Sequence, residues 1–217
     1  MNTAFYTERL RDYLHPYFEH KHYALGRGGT EFRRKTSFGH SVIIVNLIDG
    51  DDATVVDFHI GLRHDLVEKA MSGLFGQRDY YLTDSATLLT DWRLLKSADP
   101  EERTKRFKIR EIRDVDAIGN AFIDFMDRIG FSFLEKYTKL QALDHLYNHR
   151  TAVSAERCNH SYQRCFRAMV IAEIRGRRDL ALLREKHRAY LLGRGFAGQV
   201  VQKFDTNFAR AGQISLN

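Results

Sequence analysis

Proline, cysteine and long apolar runs are all scarce in this chain of 217 residues. Pro16 and Pro100 are the only prolines, which excludes a proline-rich linker. Cys158 and Cys165 lie about two helical turns apart and cannot pair within one helix. With so few cysteines there is no disulfide framework, and reduced thiols in a cytoplasmic setting are expected. Nowhere do about 18 uncharged apolar residues run together, so no membrane span is expected. Met1-Asn2-Thr3-Ala4-Phe5 lacks a basic region followed by an apolar run, so no secretory leader is expected. Catalytic signatures are missing too. Gly26-Arg27-Gly28-Gly29 has no Lys-Ser/Thr of a phosphate loop and leads into a strand, and there is no Gly-x-Ser-x-Gly elbow.

What is present is ample core material. A hydrophobic share of 43% with 12% aromatic residues excludes a disordered chain and suits one sizeable core. The formal net charge of +6 is unevenly spread. Between Arg150 and Arg194, eleven basic residues stand against Glu156, Glu173, Asp179 and Glu185, which leaves the remainder close to neutral. Such a basic stretch suits an acidic protein partner, nucleic acid, or simply a solvated helical face.

Hydrophobic periodicity divides the chain. Tyr6, Leu10, Tyr13, Leu14 and Tyr17 have helical spacing, with Pro16 expected to end or kink the helix near His15. Strands are expected over 30–36, 41–48 and 54–61, the last two joined by the turn Asp49-Gly50-Asp51-Asp52. A short helix carrying Leu66, Ala70 and Leu74 follows. Extended pieces are then expected at 80–82 with 87–92, and at 106–112, with an exposed loop over 96–106. After Arg113 the period becomes 3.6. Asp114 is the expected N-cap of a helix bearing Val115, Ile118, Phe122, Phe125, Met126 and Ile129. A further helix carries Phe133 to Tyr147. A helical hairpin then breaks at Gly176, its stripes formed by Tyr162, Phe166, Met169 and Ile171 and by Leu180, Leu183, Tyr190 and Leu191. The expected fold is α+β: an antiparallel sheet of about five strands with an N-terminal helix and C-terminal helices packed on it. Residues 1–149 form the α+β domain, and 150–217 a basic helical hairpin appended to the same core.

Thr30-Glu31-Phe32-Arg33-Arg34, Asp57-Phe58-His59-Ile60-Gly61-Leu62 and Gly130-Phe131-Ser132-Phe133-Leu134-Glu135 resemble a bacterial family of domains of unknown function, the one catalogued as four-three-zero-four. The resemblance spans about the first two thirds of the chain. It implies the α+β fold and no defined activity. Small domains of this type sometimes look like immunity proteins that neutralise a toxin.

Three constellations bear on chemistry. His145 and His149, at i and i+4 on a helix, can reach one metal ion, and Cys158 with His160 can complete a tetrahedral set. Leu146 stands where a zinc protease carries its glutamate base, so hydrolysis lacks a general base. His15, Glu19, His20 and His22 diverge at a helix end and read as a solvated, pH-sensitive patch. Asp57 and His59 share the mixed face of a strand, near Arg63 and His64, and a carboxylate beside an imidazole can orient a base. No Ser or Cys is placed as a nucleophile there, so a cross-strand polar pair is the expected role. Glu31-Phe32-Arg33 and Glu111-Ile112-Arg113 put Arg where a metal-dependent nuclease needs Lys.

The sequence therefore points to a non-enzymatic interaction domain that requires no cofactor. Arg164, Arg167, Arg175, Arg177, Arg178, Arg184 and Arg188 are the residues expected to meet an acidic protein partner, with the mixed sheet face of Asp57 and His59 as the other docking surface. An inhibitor or immunity role is one version. A nucleic-acid-binding module is the first alternative, tracking phosphates with Arg33-Arg34-Lys35, Arg106, Lys108, Arg110 and the same arginines. A metal-dependent enzyme built on the histidines is the second.

Overall fold

The computed structural model describes residues 3–26, 28–76, 79–97, 99–149 and 162–209. The α+β class is as expected: an N-terminal helix, an antiparallel sheet and C-terminal helices. Packing divides the chain into two compact units, Met1–Leu62 with Leu88–Lys136, and Arg63–Thr87 with Tyr137–Asn217. The 1–149 and 150–217 division follows charge, whereas these units follow packing and cut the chain differently.

The first unit holds the sheet. Helix α1 (Thr3–His20) leads into β1 (Ala24–Leu25), β2 (Glu31–Thr36), β3 (Gly39–Asp49) and β4 (Thr54–His64), whose last two residues belong to the second unit. Strand order is β1-β2-β3-β4-β5, with β5 at Leu88–Asp91. A further strand, β6 (Phe107–Ile109), also pairs with β4. β5 meets β4 through Ile60↔Thr90 and β6 meets it through Val55↔Lys108, so one edge of β4 changes partner near Asp57. Helix α4 (Arg93–Lys96) follows β5, and α5 (Pro100–Thr104) stands within 96–106, the expected exposed loop. Asp99 caps α5 by accepting from the Glu101 N–H, and Pro100 occupies its first turn, where its missing N–H costs nothing.

Pro16 does not break α1. Leu10, Leu14 and Phe18 are fully buried at i, i+4 and i+8 on both sides of it, and that continuous apolar seam outweighs the lost hydrogen bond. Helix α6 (Ile112–Phe125) buries Val115, Ile118, Phe122 and Phe125 as its stripe predicts, and Phe122 stacks on Phe58 of β4 with centroids 3.7 Å apart. Its N-cap is Glu111, not Asp114. The Asp114 carboxylate sits at N3 and reaches back to the N–H groups of Arg110 and Glu111, a capping box in which the acids act reciprocally. A π-helical turn, Met126–Gly130, then leads into α7 (Phe131–Lys136).

Gly61 is required by a close approach between strands. A Cβ there would lie 2.3 Å from the Leu88 carbonyl oxygen on β5. Gly61→Ala is therefore expected to destabilise by about 1–3 kcal/mol, because neither backbone can yield without breaking the ladder. Urea denaturation checks this; a variant as stable as the parent contradicts the packing.

The second unit is helical. It contains α2 (Asp65–Leu74), α3 (Asp79–Thr83), α8 (Leu140–Asp144) with a π-helical turn over His145–His149, α9 (Gln163–Ile174), α10 (Leu180–Gly193) and α11 (Gly198–Phe208). The stretch 80–82, expected to be extended, lies in α3. Helix α9 is central: Arg164 through Ala172 are all buried, and Phe166 packs against Phe75, Tyr162, Phe204 and Phe208. α11 supplies Val201, Phe204 and Phe208 at helical spacing and extends the expected hairpin by a third helix.

Candidate partner-docking surface

The arginines expected to face a partner are mostly engaged within the second unit. Arg167 is withdrawn from the surface altogether. Its side chain is fully buried, donating from Nε to Glu68 Oε1 at 2.8 Å and from Nη2 to Glu68 Oε2 at 2.9 Å. Ser85 Oγ donates to the same carboxylate at 2.6 Å. Burial alone would raise the Glu68 carboxyl, but the Arg167 guanidinium and these hydrogen bonds hold it below its ordinary value. Arg164 is also buried, its guanidinium 4.2 Å from the centroid of the Tyr190 ring. Both corrections have one cause. The apolar run Phe166, Ala168–Ala172 makes α9 a helix enclosed on every side, so its arginines are enclosed with it.

The remaining arginines sit nearer the surface with internal counter-ions. Arg175 and Arg177 converge on the buried carboxylate of Asp144, at 2.7 and 3.1 Å, and Arg177 also grips Asp179. Arg184 and Arg188 share Asp205 of α11, at 3.4 and 2.9 Å. Arg178 is exposed. Glu68, Asp144 and Asp205 all lie outside the basic stretch of sequence, which is why its charge excess overstates the charge on the surface.

Asp144 also anchors a hydrogen-bonded chain. A carboxylate can only accept, so the 2.6 Å contact from Asn148 fixes the Asn148 amide: Nδ2 donates to Asp144 and to the Ala168 carbonyl. Asn148 Oδ1 therefore faces the fully buried His187 at 2.8 Å, and His187 Nε2 carries the proton it donates. His187 Nδ1 is left buried as a bare lone pair. Burial first, then the nearby Arg164 and Lys186, push the His187 pKa down to about 3, so the ring is neutral.

Of the metal-ligand set, His145 and His149 do come together, their rings stacked with centroids 5.2 Å apart. Arg177 Nη1 lies 3.0 Å from His149 Nε2, and since a guanidinium only donates, that nitrogen's lone pair is already engaged. Cys158 and His160 lie outside the described residues. Among the described residues no three His, Cys, Asp or Glu side chains are grouped to hold a metal ion.

On the sheet, Asp57 and His59 do share one face, and the carboxylates there act as counter-ions. Asp57 lies 3.6 Å from Arg93 and 3.5 Å from Arg106, which flank the point where β4 changes partner. Asp91, opposite His59 in register, is bound by Arg93 through Nε at 2.9 Å. His59 Nδ1 faces Asn46 Nδ2 at 3.3 Å, not a carboxylate. Burial lowers the His59 pKa, against the pull of Asp91 and Asp57. The cluster closes the seam between strands, the polar role expected for it. Lys108 and Arg110, candidates for tracking phosphates, pair with Asp52 at 3.4 and 3.0 Å.

The surface that stands out instead is the outward side of α10. Its buried seam is narrow, Leu183, His187 and Leu191 at i, i+4 and i+8. Leu182 and Leu192 lie on the opposite arc with Ala189, at 69% and 51% exposure. The exposed charges on this arc are mixed: Arg178 stands before the helix and Arg194 just after it, while Glu185 and Lys186 lie within it, Lys186 Nζ donating to the Asn148 carbonyl at 2.7 Å. Sequence reasoning placed Leu183 and Leu191 inward but passed over Leu182 and Leu192. The signal was there, because a seam repeating every four residues cannot also hold leucines about a quarter-turn or more off it. No family model, curated protein or solved structure matches the chain.

Proposed function

We propose that the chain is a non-enzymatic protein-interaction domain whose α10 face docks an acidic, amphipathic segment of a partner protein. The observation that carries this is the pair of exposed leucines, Leu182 and Leu192, with the exposed Arg178 and Arg194 at the two ends of the helix outweighing the one exposed acid, Glu185. Apolar side chains supply affinity on desolvation, and the surrounding cations select partners by charge and steer the encounter. The described ionisable clusters support the same reading, since their carboxylates are engaged by arginines. The buried thiol of Cys165, its pKa pushed up to about 12, suits a structural and not a nucleophilic role. An inhibitor of immunity type is one form such a domain takes.

The test uses a synthetic helical peptide with Glu and Leu at i, i+4 spacing and its Lys–Leu counterpart. Fluorescence anisotropy is expected to show saturable binding of the acidic peptide that weakens with salt. Leu182→Glu is expected to weaken it about tenfold or more, which corresponds to about 1.4 kcal/mol. Absence of saturable binding, or equal binding of the basic peptide, contradicts the proposal. Tighter binding of single-stranded DNA than of the acidic peptide would transfer the surface to nucleic-acid recognition.

A further inference from the structure

We infer that Glu185 sets the register of this docking, so that the segment α10 accepts carries one Lys or Arg midway between two leucines and its acids towards its ends. The inference rests on the docking role of α10 and narrows the chemistry of the partner. Leu182, Glu185, Ala189 and Leu192 stand at i, i+3, i+7 and i+10, which places them within about 80° of one another around the helix. All four are exposed, and Glu185 lies between the two leucines both along the axis and around it. Arg178 and Arg194 stand at the two ends of the helix, so the face runs positive, negative, positive along its length.

The Glu185 carboxylate is open to a partner. Among the described residues it makes no hydrogen bond or ion pair. Arg188, three residues on, feels its charge but commits its Nε to Asp205 at 2.9 Å. Lys186 turns its Nζ to the Asn148 carbonyl at 2.7 Å.

A segment lying across both Leu182 and Leu192 must cover Glu185. Desolvating a carboxylate that gains no counter-ion is costly, so an acid or an apolar side chain at that point of the partner is rejected. A Lys or Arg there pairs with Glu185. Sliding the segment by one turn sets that cation beside a leucine and leaves the carboxylate covered and unpaired. The leucines thus hold the segment, and the acid decides which segment and in which register.

Fluorescence anisotropy with the full chain and three helical peptides tests this. The first is the Glu–Leu peptide, the second has the Glu midway between two of its leucines replaced by Lys, and the third carries that Lys at one end. The central-Lys peptide is expected to bind the parent most tightly, about fivefold better than the end-Lys peptide of the same composition. Glu185→Lys should reverse the preference, so that the Glu–Leu peptide binds better than the central-Lys one. The position is exposed, and circular dichroism confirms that the variant remains folded. Equal binding of the two Lys peptides by the parent overturns the inference, because net charge and not register would then be read. So does an order of affinities that is the same in the parent and in Glu185→Lys. If the three peptides bind the parent alike and all weaken with Leu182→Glu, the inference falls and the docking role stands. If none binds saturably, both fall.

Discussion

Replacing Arg167 with Met while Glu68 stays in place is expected to lower the unfolding free energy by about 3–5 kcal/mol. Both side chains are fully buried, and Arg167 supplies two of the hydrogen bonds to the carboxylate at Glu68. Without the guanidinium, the fold must either desolvate an unpaired anion or protonate it, and each costs several kcal/mol. Most of that loss measures the stranded carboxylate and not the net worth of the pair. The double variant Glu68→Leu with Arg167→Met should accordingly recover much of the stability, less the acceptor lost to the Ser85 hydroxyl. Urea denaturation of the parent, single and double variants reads this directly. An Arg167→Met protein as stable as the parent would mean that the pair is not enclosed as described.

Lowering the pH from 7 to 5 is expected to remove about 2 kcal/mol of stability through His187 alone. In the folded chain its Nε2–H is committed to Asn148 and its Nδ1 has no acceptor for a second proton, so its pKa falls to about 3. In the unfolded chain the ring titrates near its ordinary value of about 6.5. Below that value the unfolded state binds a proton that the folded state refuses. The stabilisation is therefore complete above about pH 6.5 and declines with acid until about pH 3. Burial also lowers the pKa of His59 and His64, which adds loss of the same sign. Glu68, held below its ordinary value, contributes only at lower pH. His187→Gln keeps an N–H to donate toward Asn148 and cannot titrate. Its stability should fall less between pH 7 and pH 5 than the parent's, the difference being the His187 contribution. Equal pH dependence in the two proteins would contradict the buried, neutral ring.

These effects arise where sequence reasoning was weakest. Periodicity was informative for elements with one wet and one buried side. The stripe Val115, Ile118, Phe122 and Phe125 is the buried side of α6. On β4, Val56, Phe58 and Ile60 share the core face as their alternation suggests, although the opposite face with Asp57, Gly61 and Arg63 is buried as well. It erred where local pattern and packing diverge. In α2 the sequence stripe Leu66, Ala70 and Leu74 is offset by one residue from the buried side, which holds Val67, Glu68, Met71 and Ser72. Leu66 is left exposed, and a glutamate is buried because Arg167, about a hundred residues later, is there to meet it. A charge count along the chain cannot see such pairings. Arg164 to Arg188 read as a basic surface because their counter-ions, Glu68, Asp144 and Asp205, are distant in sequence and near in space. The docking surface was legible in part. The cations around α10 were visible as a cluster, whereas the outward leucines required knowing that its buried seam is only Leu183, His187 and Leu191.

The most direct test of α10 as a docking face is an NMR titration of the isotopically labelled chain with the Glu–Leu peptide. Amide shifts are expected to concentrate on residues 178–194, largest at Leu182, Lys186, Ala189 and Leu192, and to fade with added salt. Shifts clustered on the sheet around Asp57 and His59, or absent from α10 at saturating peptide, would contradict it.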